Sequence, residues 1–450
     1  MIEFGTVAFF ALACLLAARS TAWALALVFA MYSIEQALQS SAGIFLRIPP
    51  LANVCVALAV GTSLVGAMVR QQRPLKGYTT PQLAAVATLF IWAALSLFWT
   101  PSQESALGLT RWGLPYVVLM VFAAPLLADE MASLGQFLRG FLLIGVVTTA
   151  LIMLNPGFTV KAGRLGIDIG GGFRTNPLAI GEMGGMLMMT GLLAMRPSNS
   201  VVVSTVLRTA ACLLGGYLAL RSGSRGQLVF ALAVTICFTP VARRITHVAR
   251  FFGIVAVAVA LVPLAMWAAQ TFLGTQELRR WDLSVLAEGA DVRNANIVEL
   301  FRAFVTDPRA WFLGLGYNAF TSVTPTVEPY SHIFFVDVLT ELGIPMFVLL
   351  LWWLMKVFVD GLWLFRRYAE QAEQRASIAC LFAIFVFQML IVNKQGYLWS
   401  ATLFFLPGIM ITRLRIREEI LDAEFLESAT DVGDEAEEPE LDDAHQGTIR

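Results

Sequence analysis

Apolar runs close to the length of a membrane-crossing helix follow one another along almost the whole chain, and they constrain its fold more than any motif does. Segments such as 201–220, 227–240, 252–270 and 333–355 approach the roughly 20 residues that carry a helix across about 30 Å of hydrocarbon. Of the 450 residues, 58% are hydrophobic and 14% charged, whereas a soluble domain carries about 25% charged residues. A water-soluble core cannot hide that much apolar surface. The expected fold is therefore all-α, a polytopic membrane bundle of about 12–13 transmembrane helices.

Charge and turn residues divide the runs into expected helices near 4–18, 22–38, 51–69, 81–98, 113–128, 137–154, 178–195, 202–220, 226–240, 251–269, 333–358, 376–392 and 397–412. The first is read as a retained helix rather than a signal peptide, because Arg19 and a second apolar run follow it. Clusters at Arg70, Arg73 and Lys76, at Arg243, Arg244 and Arg250, at Arg366, Arg367 and Arg375, and at Arg413, Arg415 and Arg417 mark cytoplasmic connections by the positive-inside rule. Alternation then puts 99–112, 155–177, 221–225 and 270–332 on the other side. The expected organisation is N-terminal transmembrane helices over 1–269, a large periplasmic loop with short helices over 270–332, C-terminal transmembrane helices over 333–415, and a disordered acidic cytoplasmic tail over 416–450.

The net charge of −1 conceals a division, since residues 418–450 hold thirteen acidic side chains and one Arg, leaving +11 for the rest. Outer loops carry Arg111, Lys161, Arg164, Arg174, Arg221, Arg225, Arg279, Arg280, Arg293, Arg302 and Arg309, which points to an anionic partner, although long translocated loops also escape the positive-inside bias. Five isolated cysteines suggest neither zinc nor disulfides. No P-loop, dinucleotide fingerprint or His-Glu-x-x-His is present, so no metal, cofactor or nucleic-acid partner is expected. Gly170-Gly171-Gly172 reads as a flexible turn.

Three places suit chemistry. Arg221-Ser222-Gly223-Ser224-Arg225-Gly226 is a small-residue turn whose guanidiniums offer forked donors to an anionic headgroup. Residues 291–304 read as an amphipathic helix with Arg293 in its first turn, where the helix dipole disfavours a cation and an external anion would suit it. His332 precedes an apolar run, alone among three histidines at an outer mouth, and a neutral imidazole can take a proton from a hydroxyl. Beneath it Asp337 and Glu341 share a helix face, and Glu182 interrupts another run. Carboxylates inside membrane helices are usually paired or functional, and these are expected to orient the outer arginines or to join helices.

The order of these motifs resembles the O-antigen ligase and Wzy-type polysaccharide polymerase superfamily of bacterial inner membranes over about 90–400. It comprises Gly163-Arg164-Leu165-Gly166, Thr175-Asn176-Pro177-Leu178-Ala179, Ser224-Arg225-Gly226, Arg293 with Asp307-Pro308, Gly314-Leu315-Gly316, and His332 with Glu341-Leu342-Gly343-Ile344. The resemblance implies a metal-independent, inverting transferase acting at the periplasmic face on an undecaprenyl-diphosphate-linked glycan. Arg225 and Arg293, with Arg221, would hold the diphosphate, His332 would be the catalytic base, and Arg164, Arg174, Asp337 and Glu341 would support them. Ile333 stands where the family often has Asn. The acceptor would be another lipid-linked glycan or a lipid A core sugar. Polymerase is preferred because nothing in the sequence indicates a partner specific for lipid A, and other polysaccharide assembly proteins are possible partners. A transporter or flippase of anionic sugars, with Glu182, Asp337 and Glu341 along its path, and a non-catalytic scaffold are the alternatives.

Overall fold

A computed structural model describes residues 2–70, 75–128, 130–161, 164–168, 173–174, 177–194, 201–245, 247, 249–253, 255–256, 271, 283–324 and 331–434; within these, the side chains of 161, 167–168, 173–174, 283–293 and 428–434 are not described. The expected helix at 251–269 and the Gly170–Gly172 turn therefore lie almost wholly outside the described residues, as do Arg279, Arg280 and residues 435–450.

The described chain forms an all-α bundle. Its helices are α1 Ile2–Arg19, α2 Thr21–Ser41, the short α3 Gly43–Arg47, α4 Leu51–Val69, α5 Pro81–Leu95, α6 Gln103–Tyr116, α7 Met131–Leu154, α8 Pro177–Leu193, α9 Val201–Arg221 and α10 Arg225–Arg243. Beyond the undescribed segment come α11 Leu283–Thr306, the short α12 Ala310–Leu313 and α13 Phe320–Val323, then α14 Phe334–Leu342, α15 Ile344–Arg367, α16 Ala372–Gln395 and α17 Thr402–Asp434. Among the described residues ten helices are long and apolar enough to cross a membrane. The chain is thus a multi-pass membrane protein.

The bundle has a basic end and an opposite end. At the basic end Arg139 meets Glu373 at 2.5 Å, Arg208 and Arg243 donate to the Leu192 carbonyl at 3.3 and 2.9 Å, and Arg413 donates to the Ala128 carbonyl at 2.8 Å. Arg244 pairs with Glu370 there, and that guanidinium holds the Glu370 carboxyl below its ordinary range. At the opposite end Asn155 donates to Ser40 and Ser41 at 2.8 Å each, Ser224 to the Pro177 carbonyl at 3.4 Å, and Gln227 to Gln395 at 2.8 Å. Members of all four basic clusters thus meet at one end, away from 155, 177, 224–227 and 395.

Packing, rather than water exclusion, holds membrane helices together. Helices α8 and α9 approach so closely that a Cβ on Gly184 would lie 2.6 Å from the Gly215 carbonyl. Phe334, Trp353, Phe385, Phe404 and Phe405 form an edge-to-face and stacked aromatic centre with centroids 5.0–6.2 Å apart. Each such pair contributes about 0.5–1.5 kcal/mol beyond its buried area.

Four expectations are corrected. The loop expected at 99–112 is mostly helix, because α6 starts at Gln103. Its polar first turns lower the hydropathy, yet Ala106, Thr110 and Gly113 form a buried stripe, with Gly113 against Trp399. The 333–358 helix breaks at Gly343, whose φ of +89° needs glycine; a Cβ there would lie 2.7 Å from the Phe312 carbonyl, and Pro345 starts α15. Residues 155–177 contain a small antiparallel sheet, β1 Phe158–Lys161, β2 Arg164–Asp168 and β3 Phe173–Arg174, in that order, with Val160 opposite Leu165. Finally, α17 continues through 416–434 instead of ending in a disordered tail. Its acids meet the basic loops: Glu424 pairs with Lys76, Glu418 and Asp422 with Arg367 at 3.3 and 2.7 Å, and Glu419 with Arg415 at 2.8 Å.

A further carboxylate, Asp360 in α15, is fully buried and accepts from Arg415 at 2.5 Å, Thr412 at 3.0 Å and Gln82 at 3.4 Å. It ties three helices together at the basic end. Removing one partner of a buried pair costs about 3–5 kcal/mol. Because Arg415 is 24% exposed and keeps Glu419, we expect Asp360→Ala to lose about 2–4 kcal/mol and Asp360→Asn less. Thermal unfolding of the detergent-solubilised protein reads this directly; equal melting of Asp360→Ala and wild type would contradict it.

Candidate functional site

The turn that carries His332 is held by its neighbours. Ser331 is fully buried, its hydroxyl donates to the Asp337 carboxylate, and its oxygen accepts the Ile333 N–H at 3.0 Å. Between them His332 has φ +68°, a left-handed conformation that costs a non-glycine residue energy and that His tolerates better than most. His332 is half-buried, two residues before α14 begins. Asp337 therefore acts on the backbone under His332, through Ser331.

Glu341 does the same for the next segment. Its carboxylate accepts the Asn318 N–H at 2.8 Å and the Phe320 N–H at 3.2 Å, at the start of α13. The Thr340 and Glu341 carbonyls accept the Leu315 and Gly316 N–H groups at 2.9 and 3.0 Å. Gly314-Leu315-Gly316 is thus a strap laid on the end of α14. Gly314 and Gly316 have positive φ, and a Cβ on Gly316 would lie 2.5 Å from Thr100 Cα. Asp337 and Glu341 lie in α14, outside the ten spans. Burial raises both carboxyls above the ordinary range, and at Asp337 the Glu341 charge adds to it. Among the described contacts, neither carboxylate is paired with an outer arginine in the manner expected.

The Arg221–Arg225 turn joins two helices as expected, with Gly223 at φ +73°. Arg225 is half-buried in the first turn of α10. Arg221 turns the other way, donating to the Tyr217 hydroxyl at 3.1 Å and lying 5.9 Å over its ring, in a small niche with Phe158 and Leu165 of the sheet. Arg164 is exposed on β2; Arg174 is in β3 and its side chain is not described. Arg293 lies within α11, which begins at Leu283, so it is about three turns inside the helix rather than in its first turn. The dipole argument lapses because 283–292 is itself helical. The Arg293 side chain lies outside the described set, while the later turns of α11 pack on α14.

What brings the His332 and Arg225 turns together is the last turn of α16. Asn393 accepts the Phe335 N–H at 3.4 Å, Gln395 accepts from Gln227 at 2.8 Å, and Lys394 lies across Gly226 so closely that a Cβ there would collide with its ammonium group. Lys394 is a cation beside Arg225 that sequence reading missed. Its only signal was a Val-Asn-Lys-Gln break after an apolar run.

Next to this turn opens a cleft of about 520 Å³ between α2, α6, α8 and α16. Glu35, Glu182, Gln388, Gln395, Tyr116 and Tyr397 supply its polar lining, and among the described residues no cation lines it. Glu35, also unrecognised from sequence, accepts from Gln39 at 3.0 Å and Tyr116 at 3.5 Å. Phe404 lines the cleft and meets Phe334 edge-to-face at 5.6 Å, so α14 is one side chain away from it. The set offers one titratable ring, two or three cations and a hydroxyl-compatible cavity. No family profile and no curated protein sequence matches the chain.

If Glu341 is the clamp of the 314–320 strap, Glu341→Ala orphans two buried N–H groups, at about 1–3 kcal/mol each. Melting should fall accordingly, and Gly314→Ala, whose Cβ would strike the Glu341 carbonyl, should do at least as much damage. A Glu341→Ala protein that melts like wild type would remove the clamp.

Proposed function

We propose that this chain is a membrane glycosyltransferase of the bacterial inner membrane, moving a glycan from undecaprenyl diphosphate to an acceptor hydroxyl at the periplasmic face. One observation carries the reading. Helix α14, which follows His332, and helix α10, which begins at Arg225, both bond to the last turn of α16, through Phe335 and Gln227; that turn also supplies Lys394 and borders a polar cleft that no cation lines among the described residues. The periplasmic assignment is supported by the gathering of the other basic clusters at the far end of the bundle.

In this reaction His332 takes the proton of the acceptor hydroxyl, the oxygen attacks the anomeric carbon, and the bond to the diphosphate oxygen breaks with inversion. The leaving diphosphate gathers negative charge as that bond lengthens. Guanidinium and ammonium groups fixed at a partly dry rim stabilise it without reorganising, so no strong general acid is required. Arg225, Lys394 and Arg293 are assigned this task. Asp337 and Glu341 act as positioning residues, through Ser331 and the 314–320 strap. Polymerase is favoured over ligase. A transport reading draws on Glu35, inside the α2 span, and Glu182, in the shorter apolar helix α8, both lining the cleft.

The test is transfer in vitro: purified protein, an undecaprenyl-diphosphate oligosaccharide in place of the native donor, a lipid-linked or lipid A core acceptor, and EDTA. Product and undecaprenyl diphosphate should appear without ATP. His332→Ala should lower the rate about 10²–10⁴-fold, and Arg225→Lys about 10²–10³-fold by losing forked geometry while keeping charge. Unchanged turnover in His332→Ala would refute the proposal, and substrate movement across proteoliposomes without transfer would favour transport.

A further inference from the structure

A second cavity of about 390 Å³ opens on the flank of the bundle between α4 and α6. Its character is opposite to that of the cleft. Val54, Ala57, Pro115 and Leu119 make it apolar, Val54 is 51% exposed toward the surroundings of the bundle, and the cavity lies along two membrane spans. The bilayer interior is therefore its solvent.

Arg111 lines this groove, exposed, and among the described residues it makes no hydrogen bond or ion pair. It lies in the first half of the span that runs from Gln103 to Leu127. An unmatched cation at that depth is expensive unless an anion meets it or it reaches the interface. The phosphate of a lipid headgroup, at the membrane interface that Arg111 can reach, supplies that anion.

The two cavities share a wall made of Glu35, Trp112 and Tyr116. The Tyr116 hydroxyl accepts from Asn53 at 2.8 Å and donates to Glu35 at 3.5 Å. On the cleft side, Gln36 Oε1 and Trp399 Nε1 are buried and, among the described residues, have no hydrogen-bond partner. One is an acceptor and the other a donor. A sugar hydroxyl satisfies both kinds, whereas a phosphate in the cleft would meet Glu182 with no cation among the described lining residues.

We infer that the α4–α6 groove is a second lipid site: it takes the hydrocarbon tail of a phosphate-linked glycolipid, with Arg111 on the phosphate and the sugar hydroxyls reaching past Tyr116 into the cleft. Naming this lipid as the acceptor rests on the transferase reading, and makes the acceptor lipid-linked, as a polymerase requires. The binding itself does not rest on it.

Full-length protein in phosphatidylethanolamine–phosphatidylglycerol nanodiscs is titrated with undecaprenyl diphosphate, and the lipid retained is counted by native mass spectrometry. Arg111→Gln should weaken one equivalent about tenfold, and Val54→Trp, which fills the groove and leaves every charge in place, should do the same. Retention equal to wild type in both variants overturns the site, as does no retention by wild type. Retention that falls in proportion as the phosphatidylglycerol fraction of the nanodisc is raised also overturns it, reducing the groove to an ordinary lipid contact. Arg111-dependent retention in a protein that never transfers glycan keeps the groove and removes the transferase, while transfer without Arg111 dependence does the reverse.

Discussion

Backbone that leaves the helix inside or beside a bilayer must find its hydrogen-bond partners within the protein, since hydrocarbon supplies none. Among the described residues, three departures at the end of the bundle opposite the basic clusters are met by side-chain acceptors. Ser331 and Asp337 hold the His332 turn, Glu341 holds the 314–320 strap, and Ser222 accepts the Ser224 N–H at 3.2 Å before Arg225. These polar residues look like reaction chemistry when read along the sequence. In the fold they are what allows an irregular rim to exist, and the residues free to face a substrate are those the rim presents.

That distinction marks how far the sequence was legible. Apolar runs, basic clusters, the 221–225 turn and the place of His332 were readable because each is a local property of composition or spacing. The start of α6 and the break at Gly343 were not, because hydropathy averages over a polar first turn and cannot register that Gly343 packs against Phe312. Asp337 and Glu341 were recognised as significant, but their partners are backbone N–H groups, to which a side-chain pattern is blind. Glu35, Asp360 and Lys394 were missed because their meaning depends on Tyr116, Arg415 and Gly226, all remote in sequence.

The acidic C-terminal segment shows the same dependence on remote partners. Composition alone reads residues after 416 as a solvated tail, since like charges repel and few apolar groups are available for burial. Yet its first acids meet Lys76, Arg367 and Arg415 across the basic end, and Gly77 packs on Ile416 and Ile420. Individually exposed pairs contribute little. Here they extend a helix already anchored in the bundle by Asp360 and by Arg413 bonded to the Ala128 carbonyl, so each adds to a helix whose nucleation is complete.

Charge is sorted radially at the outer end as well as between the ends. The cleft carries carboxylates and amides, while Arg111, Arg225 and Lys394 stand outside its lining. A diphosphate is held most strongly where cations are concentrated and water is partly excluded, whereas a sugar needs paired donors and acceptors and no net charge. On the transferase reading proposed above, keeping the two environments adjacent but separate would let a charged, lipid-borne group stay at the rim while its uncharged portion enters the protein. A single mixed cavity would leave either the carboxylates or the phosphate badly solvated. On that proposed reading, the shared wall of Glu35, Trp112 and Tyr116 would sort the two parts of such a substrate.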